Sequence, residues 1–251
     1  MQVTPDRLFD LTGKVALVTG GSRGLGREMV RAFASAGADV VITSRKLDAC
    51  KEAATEVESL GRRALAHPCH VGHWDQIESL VEAAYAAFGR VDILVNNAGM
   101  SPLSPSSAET SEALFDKIVE VNFKGPFRLS ALVGKRMAEG DGGSIINVSS
   151  VGSLRPNPLF ATYAGAKAAL NALTTAFAHE FGPKVRVNTI AAGPFLTDIA
   201  KAWPPEMRER ADNALGRPGR PEEIVTTALY LASDQSSFTN DALIRVDGGV
   251  R

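Results

Sequence analysis

A tyrosine and a lysine four positions apart are the two residues of this sequence best suited to moving a proton. Tyr163 and Lys167 lie in a segment whose apolar residues recur with helical spacing, and residues four apart share one helix face. An ammonium about 4 to 5 Å from a phenol favours the phenolate by roughly 3 to 4 kcal/mol at an effective dielectric constant of ~20, which lowers the phenol pKa by about two units. The pair predicts general acid/base catalysis, although this spacing also occurs by chance on helix surfaces.

Two hydroxyl groups are the candidates for holding a substrate oxygen. Ser149 and Ser150 directly follow the apolar run at 145–148. A hydroxyl at the carboxyl end of a buried strand points into the crevice where parallel sheets bind ligands. We therefore expect one of the two serines to lie beside the Tyr163 phenol.

A glycine-rich turn follows the first apolar run of the chain and opens an amphipathic segment. Glycines let the backbone bend sharply and approach a pyrophosphate, whose charge the N–H groups at a helix start stabilise. Alone, such a turn can be merely a tight turn, but a strand before it and a helix after it favour dinucleotide binding. The predicted cofactor contacts in this turn are Gly20, Ser22, Arg23, Gly24, Leu25 and Gly26.

The end of the second predicted strand indicates which dinucleotide is preferred. An acidic residue there would bind the ribose hydroxyls of NAD, whereas a basic residue accommodates the 2′-phosphate of NADP. The strand ends in Ser44 and Arg45, with no carboxylate, and Arg23 offers a second cation. We predict NADP(H). NAD(H) stays the alternative, because both arginines could instead be ordinary solvated surface charges.

The elements that must position these residues alternate between short β-branched runs and longer segments of helical period. This order predicts an α/β fold: a Rossmann-type, doubly wound, seven-stranded parallel sheet with helices on both faces. We expect every strand to be fully buried. The predicted strands are residues 14–19, 39–43, 64–68, 93–96, 144–149, 186–190 and 243–246.

The length of the chain, 251 residues, suits one core, and we predict a single dinucleotide-binding catalytic domain over residues 1–251. Residues 101–110 and 202–220 are loops by composition. We expect a substrate-loop insertion at about 195–215. Its Ile199, Trp203 and Met207 could cap an apolar substrate, while its charged residues, Asp198 among them, could equally face water.

Composition bears on partners and location. Lys and Arg total 27 against 28 Asp and Glu, a balance that favours neither nucleic acid nor an anionic membrane as partner. Residues 1–10 lack an apolar core segment, and Cys50 and Cys69 fit neither a metal site nor a Cys-x-x-Cys pair. We expect a cytoplasmic protein with reduced cysteines, a small-molecule substrate and no bound metal.

From residues 11 to 249, the order of these motifs resembles the classical short-chain dehydrogenase/reductase family. The resemblance implies that Ser150, thirteen residues before Tyr163, holds the substrate oxygen, and that Ser149 is structural. It implies that the Asn122 backbone carbonyl holds a water linked to Lys167, and that the terminal Val-Asp-Gly-Gly contacts another subunit of a homotetramer. The cofactor contacts implied by resemblance are His70, Val71, Asn97, Ala98, Gly99, Tyr163, Lys167, Gly193, Phe195 and Thr197, with Thr197 on the nicotinamide carboxamide.

Three residues depart from the family pattern. His70 replaces an aspartate that receives the adenine amino hydrogen bond, and a neutral imidazole could accept that bond through one ring nitrogen. Ala192 replaces a proline, a change that could loosen the following loop. Asn240 replaces a glycine, and asparagine tolerates left-handed backbone better than most residues.

The sequence therefore predicts an NADP(H)-dependent oxidoreductase that interconverts a secondary alcohol and a ketone. It resembles 3-oxoacyl-carrier-protein reductases, broad carbonyl reductases and, as an alternative, sugar or gluconate dehydrogenases using NAD or NADP. A second hypothesis is a nucleotide-binding relative that does not catalyse a reaction. It predicts that catalytic residues are replaced, yet Asn122, Ser150, Tyr163 and Lys167 are all present.

Overall fold

Seven parallel strands form one sheet in the computed structural model, which describes residues 8–251. The expectations for residues 1–7 lie outside that range. The sheet order is β3-β2-β1-β4-β5-β6-β7, so the chain reverses its direction of travel between β1 and β4. The strands are β1 Val15–Thr19, β2 Asp39–Ser44, β3 Ala64–Pro68, β4 Ile93–Asn96, β5 Gly143–Ser150, β6 Val185–Ala192 and β7 Leu243–Val246.

Helices cover both faces of the sheet and follow the strands in alternation. Among residues 8–251, none of them is long and apolar enough to cross a membrane. The α-helices are α1 Gly24–Ser35, α2 Leu47–Ser59, α3 Trp74–Phe88, α4 Glu112–Val119, α5 Gly125–Glu139, α6 Ala161–Glu180, α7 Pro205–Glu209 and α8 Val225–Ala232.

Side-chain alternation along the strands divides the core into two layers. Val18 of β1 packs with Phe33 of α1 on one face, whereas Leu17 packs with Leu80 of α3 and Leu170 of α6 on the other. Both layers are needed because a parallel sheet is covered on both faces. The predicted α/β fold and its single Rossmann-like domain are confirmed.

The prediction that all seven strands are fully buried is wrong for β3 and β7. The five central strands are buried almost throughout, but β3 is only partly buried and β7 alternates between exposed and half-buried residues. These two strands are the sheet edges, where only one neighbour shields the backbone and side chains. Position in the sheet, which hydrophobic runs do not report, causes the difference.

The turn before β7 also differs from expectation. In this turn Asn240 does not adopt left-handed backbone, whereas Asp241, with φ of 57°, does. Asn240 instead uses its side chain, which accepts from the Val187 N–H at 2.8 Å and donates to the Ala178 carbonyl at 3.3 Å. The amide thus holds the start of β7 against β6 and α6.

Candidate active site

Helix α6 brings the predicted tyrosine and lysine to the carboxyl end of β5. Lys167 is 3% exposed, and its Nζ donates to the Val148 carbonyl at 2.8 Å. The Ser149 hydroxyl donates to the Lys167 carbonyl at 3.2 Å. Both ends of the lysine are therefore fastened to β5, which explains the structural role predicted for Ser149.

The Tyr163 ring lies on the same side of α6 as the lysine amine. The distance from Lys167 Nζ to the ring centre is 5.9 Å. Phe160 packs edge-on against the ring, with centroids 6.1 Å apart and an interplanar angle of 82°. The Ser150 hydroxyl lies beside the Tyr163 phenol. The phenol is thus held between an aromatic edge, a hydroxyl and a buried amine.

Burial shifts the two titrating groups in opposite directions. It lowers the pKa of Lys167 from 10.5 to about 8, because an ammonium loses hydration inside the protein. It raises the pKa of Tyr163, and the neighbouring Ser150 hydroxyl acts the other way. The expectation of a lowered Tyr163 pKa is therefore wrong here, because burial is the dominant influence on the phenol.

The turn after β5 orients the Ser150 hydroxyl. Its Oγ accepts from the Gly152 N–H at 3.0 Å and caps a short 3-10 turn, Val151–Ser153. A Cβ on Gly152 would lie 3.0 Å from the Phe160 ring and 3.3 Å from Ser150 Oγ. Since Oγ accepts at the turn, its own proton is available to donate toward a substrate oxygen.

Asn122 lies at the centre of a five-residue π-helical segment, Glu120–Lys124, between α4 and α5. It is 0% exposed, and its side chain donates to the Met100 and Ile118 carbonyls and accepts from the Met100 N–H. A Cβ on Gly99 would lie 3.0 Å from Asn122 Oδ1 and 3.6 Å from Lys167 Nζ. Asn122, Gly99 and Lys167 therefore converge. π-helical geometry often marks functional sites.

The segment after β4 is tied to the segment after β1 by a residue absent from the predicted site. The Thr19 hydroxyl accepts from the backbone N–H groups of Asn97 and Ala98 at 2.9 and 3.0 Å. Asn97 Nδ2 donates to the Thr19 carbonyl at 2.8 Å. The sequence feature that could have identified Thr19 is its hydroxyl at the last position of a buried strand. The two strand ends form one rigid edge.

The glycine turn has the geometry of a phosphate cradle. Gly20 and Gly24 have φ of 64° and 53°, values that favour glycine. A Cβ on Gly26 would overlap the Gly20 carbonyl and lie 2.5 Å from Asn97 Nδ2. Helix α1 begins without a capping side chain, so its first N–H groups can bind an anion. Ser22 is buried, and Leu25 packs against the core.

The two predicted phosphate-binding arginines have different surroundings. Arg45 is exposed, and no carboxylate of the described chain lies within ion-pair distance of it. Arg23 instead pairs with Asp198, Nη1 to Oδ2 at 3.3 Å. Ser44, just before Arg45, contacts Cys50 Sγ at 3.1 Å and accepts weakly from the Lys46 N–H. Of these two arginines, Arg45 alone has no competing carboxylate among residues 8–251.

The segment after β6 lies against the glycine turn. The Gly193 N–H donates to the Val246 carbonyl at 2.9 Å, so the segment remains fastened to β7 just after Ala192, which is itself paired within the sheet. Phe195 is buried, and its carbonyl accepts from the Thr197 N–H at 2.8 Å. A Cβ on Gly24 would lie 3.4 Å from the Thr197 side chain.

At the end of β3, the His70 ring is engaged in a hydrogen bond within the chain. Its Nδ1 accepts from the Gly72 N–H at 3.2 Å, so a neutral ring carries its proton on Nε2. No ring nitrogen then remains to accept from an adenine amino group. Val71, the next residue, is buried, and its carbonyl packs against Gly125 at the start of α5.

Comparisons with known proteins agree with this arrangement. Residues 20–251 match the family model described as "Enoyl-(Acyl carrier protein) reductase". A 3-oxoacyl-[acyl-carrier-protein] reductase FabG of Thermotoga maritima is 37% identical over 246 residues, covering 96% of this chain and 98% of that relative. The chain belongs to the short-chain dehydrogenase/reductase family.

Other short-chain dehydrogenase/reductase proteins are similar over the whole length. A 2-dehydro-3-deoxy-D-gluconate 5-dehydrogenase of Pseudoalteromonas atlantica is 37% identical over 248 residues, covering 96% of this chain and 97% of the relative. A 7α-hydroxysteroid dehydrogenase structure, in complex with NADH and 7-oxo glycochenodeoxycholic acid, has a TM-score of 0.93 and 35% identity, covering 99% of this chain and 98% of that one. The chain is accordingly an oxidoreductase that acts on an alcohol or ketone group.

Proposed function

We propose that this short-chain dehydrogenase/reductase interconverts a secondary alcohol and a ketone with NADP(H), using Tyr163 as its acid and base. One observation carries the proposal: the Tyr163 phenol lies beside the Ser150 hydroxyl, on the same side of α6 as the buried Lys167 amine. A phenol and a hydroxyl side by side can both donate to one carbonyl oxygen.

The residues of the chain handle the proton and the orientation of the substrate. When bound, NADPH would supply the hydride for the carbonyl carbon, and the glycine turn and Thr197 would hold the nucleotide. Ser150 donates a hydrogen bond to the ketone oxygen. Tyr163 gives its proton to that oxygen, which completes the alcohol; in the oxidative direction the phenolate takes the proton back. The raised pKa of Tyr163 keeps it protonated, and so suited to reduction, at neutral pH.

Lys167 and Asn122 position the proton donor. The Lys167 amine is fixed by the Val148 carbonyl, and Asn122 fixes the segment around Met100 that adjoins it. With a pKa of about 8, the amine can give up or take up a proton near working pH. We assign Lys167 to re-protonating the tyrosine and Asn122 to orienting its surroundings.

Arg45 supports the preference for NADP(H). It follows β2, where a 2′-phosphate would lie, and no carboxylate of the described residues pairs with it. Arg23 offers a second cation once its pair with Asp198 opens. NAD(H) remains the alternative cofactor, since the Ser44 hydroxyl could bind a ribose hydroxyl.

Apolar side chains around the cleft support a ketone with an apolar body, as in 3-oxoacyl or broad carbonyl reduction, over a sugar acid. They are exposed on the segments that follow β4, β5 and β6, at the carboxyl ends of the strands, where Ser150 also lies. These side chains are Leu103, Leu154, Leu159, Leu196 and Met207. Residues 195–215, which include two of them, form the proposed substrate loop.

We also propose a cytoplasmic homotetramer that binds no nucleic acid, no membrane and no metal. Cys50 and Cys69 are free and buried, which suits a reducing compartment. The fully exposed Phe238 ring and the uncovered outer edge of β7 suit a subunit contact near the chain end.

Cofactor titrations and ketone reduction test this proposal. The wild-type protein is expected to bind NADPH at least ten times more tightly than NADH and to reduce apolar ketones. In Arg45→Asp, a carboxylate repels the 2′-phosphate and can accept from ribose hydroxyls, so the binding ratio is expected to swing toward NADH by about a hundredfold.

Arg155→Asp is the matched control, because Arg155 is also exposed but follows β5. We expect its NADPH to NADH ratio to stay within about threefold of wild type. An unchanged ratio in Arg45→Asp would refute the role of Arg45. Absence of turnover with every ketone and alcohol, despite tight NADPH binding, would refute the catalytic proposal.

A further inference from the structure

The residues that follow β3 present hydrogen-bond donors where the base of a dinucleotide would lie. We propose that His70 makes this protein bind the purine of its cofactor without recognising the 6-amino group of adenine. The inference rests on the proposed function, since it concerns the base of the proposed cofactor. Its basis is the hydrogen bonding of His70, His73 and Gln76.

The His70 ring is fixed by the backbone two residues later. The Gly72 N–H donates to Nδ1 at 3.2 Å, so Nδ1 is the acceptor of this ring. A Cβ on Gly72 would lie 3.1 Å from both Nδ1 and Cε1, which shows how closely the backbone approaches. A neutral imidazole with Nδ1 accepting carries its hydrogen on Nε2. In the imidazolium form Nε2 is also a donor, so protonation does not create an acceptor.

Gln76 fixes the donor and acceptor roles of the neighbouring His73 ring in the same way. The His70 backbone N–H donates to Gln76 Oε1 at 2.7 Å, which identifies the other end of the amide as the donor. The amide nitrogen of Gln76, Nε2, lies 3.0 Å from His73 Nδ1, and this ring nitrogen therefore accepts. The two imidazole rings lie 4.4 Å apart. Both histidines thus use Nδ1 internally and leave an N–H donor on the far side of the ring.

The charges around His70 keep it neutral. Burial lowers its pKa, and His73 and Arg45 lower it further, while Glu120 acts in the opposite direction. Glu120 is the one carboxylate among these groups, and its Oε1 pairs with Lys124 Nζ at 3.4 Å. It is therefore the competing acceptor that an experiment must exclude.

The position in the sheet connects these donors to the cofactor. β3 pairs with β2, and the Cys69 N–H donates to the Ser44 carbonyl at 2.9 Å, so His70 lies next to Arg45. With the proposed catalytic residues at β5, the phosphates at the turn after β1 and the ribose at the end of β2, the sheet order places the base beyond the ribose, toward β3. Adenine offers a 6-amino donor there, and His70 offers no acceptor for it. A 6-oxo purine would instead accept from the Nε2 hydrogen.

Equilibrium binding of NADPH and of its hypoxanthine counterpart, which has a 6-oxo in place of the 6-amino group, tests this inference. The wild-type protein is expected to bind the hypoxanthine form no more than about threefold more weakly than NADPH. His70→Asp restores a charged acceptor and is expected to favour NADPH by at least about tenfold. Calorimetry or quenching of protein fluorescence reads binding without turnover.

His179→Asp is the matched control, because it makes the same substitution at an exposed position in the last turn of α6, and its preference between the two nucleotides should remain as in wild type. A wild-type preference for NADPH of tenfold or more would overturn the inference, and its loss in Glu120→Gln would identify Glu120 as the acceptor. The relative affinity of the wild-type protein for the two nucleotides tests the inference even if His70→Asp does not fold. Failure to bind either dinucleotide would refute the proposed function itself, and equal binding of both would not.

Discussion

At the residue scale, one physical cause governs both members of the proton-transfer pair. Burial disfavours a charged Lys167 and a charged Tyr163, so it lowers the first pKa and raises the second. The sequence predicted that the two side chains share a helix face. It could not predict which effect would dominate, because helical spacing fixes neither the depth of burial nor the distance from the amine to the phenol.

The buried amine predicts a pH-dependent stability. At pH 7 the folded protein holds a poorly hydrated ammonium, so Lys167→Met is expected to raise the free energy of unfolding by about 1 to 3 kcal/mol. Folded Lys167 loses its proton near pH 8, while the unfolded lysine keeps it up to about 10.5. Wild-type stability therefore gains from this group as pH rises from 8 to 9.5. Urea unfolding at pH 7 and 9.5 measures both.

The stability difference between Lys167→Met and wild type should shrink across that pH interval. Lys135→Met, which removes a lysine whose side chain is 73% exposed, is the control and is expected to change stability by less than about 0.5 kcal/mol at either pH. A Lys167→Met variant less stable than wild type at pH 7 would contradict the cost assigned to burying the ammonium.

At the element scale, an ion pair joins the glycine turn before α1 to the segment after β6. Asp198 pairs with Lys201 at 2.6 Å and with Arg23 at 3.3 Å, so the first part of the proposed substrate loop is connected to the proposed cofactor site. The sequence placed both segments at the same edge of the sheet. The ion pair itself was not predictable, because 175 residues separate the partners.

The pair with Asp198 competes with a 2′-phosphate for the Arg23 guanidinium. Asp198→Asn is therefore expected to tighten NADPH binding about two- to fivefold, the range for an exposed ion pair, with NADH affinity within about twofold of wild type. Parallel titrations with the two nucleotides measure this difference. Asp212→Asn, an exposed carboxylate of the same loop, should leave both affinities unchanged. Weaker NADPH binding in Asp198→Asn would show that the ion pair organises the site.

Other differences at this scale also come from tertiary context. The π-helical turn around Asn122 depends on side-chain bonds to Met100 and Ile118, and the first of these is a long-range contact. The exposure of β3 and β7 depends on their places at the sheet edges. Local apolar periodicity located these elements well, but it does not encode their neighbours.

At the scale of the whole molecule, the sheet order assembles the site. Reversal between β1 and β4 leaves a crevice at their carboxyl ends, and the segments after β1, β4, β5 and β6 all meet there. This much could be predicted from strand order and motif order alone. The connections made by Thr19 and Asn122 could not, since each joins segments that only the folded sheet brings together.

The central claim is that the Tyr163 phenol transfers the proton, and Tyr163→Phe tests it most directly. We expect kcat for NADPH-dependent reduction of an apolar ketone to fall by at least about a hundredfold, because the variant has no acidic proton at this position. Its Kd for NADPH should stay within about threefold of wild type, and Tyr230→Phe, distant on α8, should retain full activity. Turnover by Tyr163→Phe at the wild-type rate would contradict the account.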